Sequence, residues 1–197
     1  MISVRWALEH LSANALRYYL CAIAPESKDS DFDWDEFMNR YNGELCDVVG
    51  NFIHRSMTMT CKNFEGAVPP AGLLEAEDVA MLDAISEQLN AVTESLEGFR
   101  FRQALERYID LGRKANVYFD AMKPWVTRKT DLERTGTTLN VCCQVVKGLC
   151  YGMMPFFPEG AATLAGMLNL SLPGGGPGGG PDTWREAVQR LEPGWKL

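Results

Sequence analysis

Apolar residues recur at helical intervals over long stretches of this chain, and each stretch is bounded by proline, glycine or a capping residue. A chain patterned this way builds its core by packing helix on helix. A long, clean case starts at Trp34, where Phe37, Met38, Tyr41, Leu45, Val48, Val49, Phe52 and Ile53 keep one face apolar for about five turns. Asp33, with Glu36 three residues on, predicts a capping box at its start. Before it, Leu11, Ala15, Leu16, Tyr19, Leu20 and Ile23 predict a helix over 12–24 that Pro25 ends, followed by an acidic loop from Glu26 to Phe32.

The turn-rich run from Gly66 to Gly72 separates this part from a helix over 77–96 carrying Val79, Leu82, Ile85, Leu89, Val92 and Leu96. After Gly98 a third long helix carries Phe99, Ala104, Tyr108, Ile109, Leu111, Ala115, Tyr118, Phe119 and Met122, and it stops at Pro124. A fourth starts at a Thr130/Glu133 capping box and runs through Leu139, Val141, Val145, Val146 and Leu149 toward Pro155, with a short helix over 159–168 after it. Four long helices on short connections predict an all-α antiparallel bundle. Residues 171–181, dominated by Pro173 to Pro181, read as a Gly/Pro linker. Residues 182–197 read as a docking segment with a short C-terminal helix, using Trp184, Ala187, Val188 and Leu191.

Composition narrows the chemistry. The glycine run has no Lys-Ser or Lys-Thr after it and no flanking strand, so it is no phosphate loop. Cys21, Cys46, Cys61, Cys142, Cys143 and Cys150 lack the paired spacing of a zinc site and read as small buried hydrophobes in a reducing compartment; no metal ligand is assigned. No catalytic residue is assigned either, because neither His10 nor His54 joins a nucleophile or carboxylate pattern. With no run of 18 apolar residues and no apolar N-terminal leader, the expectation is a cytoplasmic protein with no membrane partner.

The net charge of −7 argues against a nucleic-acid partner until its distribution is considered. Residues 65–97 hold eight acids and no base, whereas residues 100–134 hold nine bases against five acids, a local balance of +4. That segment is a candidate footprint for phosphates, or else a solvated helix face. Trp125 follows Pro124 within it and suits stacking on an exposed base; the competing reading is a Trp plugging the end of the bundle. Asn51 and Arg55, one turn apart on one helix face, offer a donor–acceptor pair and a rigid planar fork; they fit equally a solvated polar residue and a surface ion pair.

Four blocks in order carry a resemblance: Asn14 to Leu20, Asp31 to Phe37, Gly50 to Arg55, and Ala115-Asn116 through Pro124-Trp125. Together they resemble the C-terminal part of methionyl-tRNA synthetase, a class I aminoacyl-tRNA synthetase, over about residues 10–168, and the ending Trp184 through Leu197 is similar to the segment that closes the synthetase core. The resemblance implies a remnant of the stem-contact region at 1–30 and a helical anticodon-binding domain at 31–170. It implies that Trp125 stacks on an anticodon base and that Asn51, Arg55 and Asn116 contact the anticodon CAU, making the anticodon loop of tRNA(Met) the partner. Arg17 and Tyr18 fall in the stem-contact block and read as architecture, and His54 receives no role.

The family attaches methionine to tRNA with ATP, using a His-Ile-Gly-His-like motif and a Lys-Met-Ser-Lys-Ser-like loop, and neither occurs in this sequence. The chain is expected to begin just past that loop and to hold no cofactor, with ATP and methionine binding a catalytic domain elsewhere. A separate synthetase catalytic domain is therefore a second partner. The other outcome is a catalytically inactive tRNA-binding or scaffold protein that works with a partner.

Overall fold

The computed structural model describes residues 4–26, 29–172, 186–187 and 189–197. Its order is α1 (Val4–His10), α2 (Ala13–Ala22), α3 (Trp34–Arg40), a π-helical segment (Tyr41–Gly50), α4 (Asn51–Phe64), α5 (Ala76–Glu97), α6 (Phe101–Met122), α7 (Pro124–Thr127), α8 (Leu132–Met153) and α9 (Pro158–Met167). The expected linker from Pro173 to Pro181, Trp184 and Val188 lie outside the described residues.

Helix ends follow the capping chemistry of the sequence, with two shifts. Ser12 caps α2 by accepting from Ala15 N, and Asp33 caps α3 by accepting from Glu36 N at 2.7 Å. The return half of the expected box is replaced, because the Asp33 N–H donates to the Tyr19 hydroxyl. α8 is capped by Asp131, one residue past the expected Thr130, and Asp131 accepts from Arg134 N at 2.9 Å. Its carboxylate satisfies a free N–H of the first turn and adds negative charge at the positive end of the helix.

The long helix beginning at Trp34 continues without a break to Phe64, but its middle ten residues take wider π turns, which the apolar spacing did not reveal. There the Asn51 N–H reaches back five residues to Cys46 O.

Side-chain contacts fix the helix directions. Asp78 of α5 meets Tyr118 near the end of α6, while Tyr108 of α6 lies beside Gly152 at the end of α8, so α6 runs against both. Ile85 and Leu89 face Gly148 and Gly152, so α5 and α8 run together. Thr60 meets Cys143 and Phe64 lies near Gly136, which sets α4 against α8. The bundle is therefore antiparallel between consecutive long helices.

α8 is the central element. From Thr135 to Gly152 each residue is buried, so it is enclosed on all sides rather than amphipathic. Its glycines allow close approach: a Cβ on Gly148 would stand 2.6 Å from Ile85 Cγ2. Burial also explains Cys142, Cys143 and Cys150, and it pushes the Cys143 and Cys150 thiols up to about 12. Cys46 and Cys61 correct the expectation for thiols in general, since both are exposed.

The buried polar residues of α8 receive the C-terminal segment. Gln144 accepts from Leu191 N at 2.6 Å and donates to Leu191 O at 3.2 Å, while Lys147 donates to Gln189 O at 2.8 Å. Ala187 and Leu191 are buried as expected. The chain then pairs with the 66–68 connection through Val68 N to Trp195 O and Leu197 N to Gly66 O, both 2.8 Å. These bonds, with Gly194 N to Val68 O at 2.8 Å, give backbone groups there partners in place of water, which lets an irregular segment lie against the core.

Candidate nucleic-acid interface

α6 ends where Lys123 takes a left-handed conformation, φ 47°, and turns the chain into α7. Pro124 occupies the first position of α7, where a missing N–H breaks no helical bond. The proline thus ends one helix and starts another, and its neighbour Trp125 projects from that corner. Trp125 is 37% exposed, so it does not plug the bundle.

Beneath the indole lies a built support. The Phe119 ring is 5.8 Å from Trp125, and the Arg55 guanidinium sits 4.5 Å from the Phe119 centroid and 5.3 Å from that of Trp125. Asp120 holds the fork with a 2.8 Å bond to Arg55 Nη2. The pair is partly exposed, at 32% and 58%, so it contributes about 0–1 kcal/mol of stability. Its clearer effect is geometric, because a guanidinium pinned at one end keeps its plane over the rings. Phe52, fully buried and edge-on to Phe119 at 6.2 Å, fixes α4 against α6 beneath this arrangement.

Three of the expected site residues are thereby drawn to one face. Trp125 and Arg55 touch, and Asn51 is exposed one turn before Arg55 on α4. Asn116 lies on α6, one turn before Asp120, but its amide is engaged with the backbone: Nδ2 donates to Val48 O and to Gly112 O, both at 2.9 Å. Arg55 does make the surface ion pair that was the competing reading, and it stacks as well. His54 is exposed beside these residues.

The basic segment resolves into two populations. Arg102 pairs with Glu106 and Arg113 with Asp110, each within one turn of α6, and Arg100 bonds Gln103. Arg134 faces inward, donating to Asp78 at 2.6 and 3.0 Å and lying 3.5 Å from Glu75. Asp78 is completely buried and also accepts from the Tyr118 hydroxyl at 2.5 Å and from Glu75 N at 2.8 Å. Burial is the largest influence on its carboxyl and pushes the pKa up, but the bonds from Arg134, Tyr118 and Glu75 N together hold it below the usual carboxylate range. Among the described residues of this segment, Arg107, Lys114, Lys123, Arg128 and Lys129 have no hydrogen-bond or ion-pair partner for their side chains, and the last three flank Trp125 in the chain.

Sequence reasoning missed Phe119 as the support for Trp125 and Asp120 as the anchor for Arg55. Phe119 and Asp120 lie three and four residues after Asn116, so their shared face was legible; their partners on α4 and α7 were not.

The chain resembles known proteins throughout. Residues 68–197 match the family model described as anticodon binding domain of methionyl tRNA ligase, and residues 1–57 match that of tRNA synthetases class I (M). The methionine–tRNA ligase of Pyrococcus horikoshii is 42% identical over 168 residues, covering 84% of this chain and 23% of that protein. That of Bacteroides fragilis is 42% identical over 170 residues, covering 84% and 25%. Methionyl-tRNA synthetase of Mycobacterium tuberculosis, solved with methionyl-adenylate, superposes with a TM-score of 0.87 at 30% identity, over 98% of this chain and 38% of that one. The chain therefore spans about a quarter of the length of the curated relatives it matches.

Proposed function

Because this chain belongs to the methionyl-tRNA ligase anticodon-binding family, we propose that it holds the anticodon loop of tRNA(Met) while methionine is attached elsewhere on the same tRNA. The observation that carries this reading is the half-exposed Trp125, backed by Phe119 and by an Arg55 fork that Asp120 keeps in place. An indole held with one face supported offers the other to a single-stranded base, a contact worth about 1–3 kcal/mol. Asn51, exposed beside Arg55, supplies a donor and an acceptor for a base edge, and Asn116 lies in the same site with its carbonyl oxygen left to accept. Lys123, Arg128 and Lys129 meet the flanking phosphates.

In this reading residues 31–170 form the recognition body and residues 1–30 the connection toward a catalytic portion, which supplies the ATP and methionine sites. The chain alone then binds RNA without charging it. No described helix is long and apolar enough to cross a membrane.

The test is a fluorescence titration, at stated salt, of a stem-loop bearing CAU against one with a scrambled loop. The CAU loop should bind more tightly, and Trp125→Ala should weaken it about tenfold or more, in line with the loss of one stacked base. Asn51→Ala should remove most of the preference for CAU while the melting temperature stays unchanged. Equal binding of the two loops by the unaltered protein defeats the proposal.

A further inference from the structure

We propose that Asn116 is a positioning residue, which clamps the π-helical segment so that Asn51 and Arg55 leave α4 at the angle that faces Trp125. The inference rests on the reading that this face binds an RNA loop, and it concerns how the face is held in shape.

The first support is the wide-turn segment itself. Tyr41–Gly50 joins α3 and α4 into one rod, and its wide turns end at Asn51. An α-helix advances about 100° per residue, so a change of one residue in the register of this segment would swing Asn51 and Arg55 by roughly that angle. Arg55 would then no longer lie over Phe119 and beside Trp125.

The second support is the clamp. Both amide protons of Asn116 go to backbone carbonyls, Val48 O within the segment and Gly112 O on its own helix. The reverse orientation of the amide would set its oxygen against two carbonyl oxygens, so the donor assignment follows from the surroundings. A base read by Asn116 would find only an acceptor, whereas the clamp uses both donors.

The third support is close approach. Gly112 lies directly against the segment, where a Cβ would stand 3.1 Å from Val48 Cγ1 and 3.2 Å from Val49 Cγ2. The missing side chain lets α6 come near enough for Asn116, one turn further on, to reach Val48 O.

The experiment combines Asn116→Ala, Asn51→Ala and the double variant with the near-isosteric Asn116→Asp, which keeps an oxygen acceptor and loses both donors. Each is titrated with the CAU and scrambled stem-loops, and hydrogen exchange is followed at the amides of residues 48–53. Asn116→Ala and Asn116→Asp should each lose about as much CAU preference as Asn51→Ala, and those amides should exchange about tenfold faster or more. The double variant should lose clearly less than the product of the two single fold-losses, because part of what Asn116 does is exerted through Asn51. Additive losses with unchanged exchange, or wild-type binding by Asn116→Asp, would overturn the clamp. If the unaltered protein fails to distinguish the two loops, the RNA reading fails on its own, and the exchange rates still decide whether Asn116 holds the segment.

Discussion

Arg134 and Trp125 stand nine residues apart in the same basic stretch, and the structure gives them opposite surroundings. Arg134 is drawn inward by Asp78, while Trp125 stays at the surface. Removing the buried charge leaves the guanidinium uncompensated, so Asp78→Asn should cost about 3 kcal/mol. At this chain length that lowers the melting temperature by roughly 6–12 °C, read by calorimetry. The pH dependence has a definite sign. A carboxyl held below its ordinary value of 3.8 contributes stability that is fully present above that value and is lost as pH falls through the lower, folded-state value. Asp78→Asn should therefore flatten the melting temperature in that acid window relative to the parent protein. The charge count across residues 100–134 identified the stretch but did not single out Arg134, because its acids, Glu75 and Asp78, lie far away in sequence at the start of α5.

The helices were legible from spacing and punctuation, and four of the expected long ones are present as the α3–α4 rod, α5, α6 and α8. What spacing did not reveal was the π register between Tyr41 and Gly50, since an apolar stripe drifts only gradually when a few turns widen. Nor did it reveal that α8 is enclosed on every side, because its polar residues Asn140, Gln144 and Lys147 look like a solvent face until the tail and the 66–70 connection cover them. The contact between α5 and α8 through Gly148 gives an element-level expectation. Gly148→Ala should destabilise the protein by about 1–3 kcal/mol in denaturant unfolding, because the added methyl meets Ile85 Cγ2 at 2.6 Å. Ile85→Ala combined with it should recover part of that loss, leaving the pair less unstable than the sum of the single changes.

Across the molecule, an acidic protein keeps three partner-free cations, Lys123, Arg128 and Lys129, close to Trp125 in the chain. With Lys123, Arg128 and Lys129 as the phosphate contacts, the logarithm of the CAU stem-loop affinity should fall with the logarithm of salt at a slope of about −2, three contacts at roughly −0.7 each. A slope near zero would show that these side chains meet no phosphate. The alternation of long helices with short connections was enough, without coordinates, to specify an all-α antiparallel bundle, because a helix with one apolar face has to bury it against another. Trp125, Asn51 and Arg55 stood out as candidates from their own chemistry and spacing, and Asn116 joined them only through what the family resemblance implies. Their arrangement was not legible. The contact of Arg55 with both Phe119 and Trp125, the grip of Asp120, and the engagement of Asn116 with Val48 O bring together α4, α6 and α7 from positions 48–55 and 112–125. Spacing along one helix fixes which side chains share a face, but the distance between faces depends on how Gly112 lets two helices approach and how Phe52 packs on Phe119.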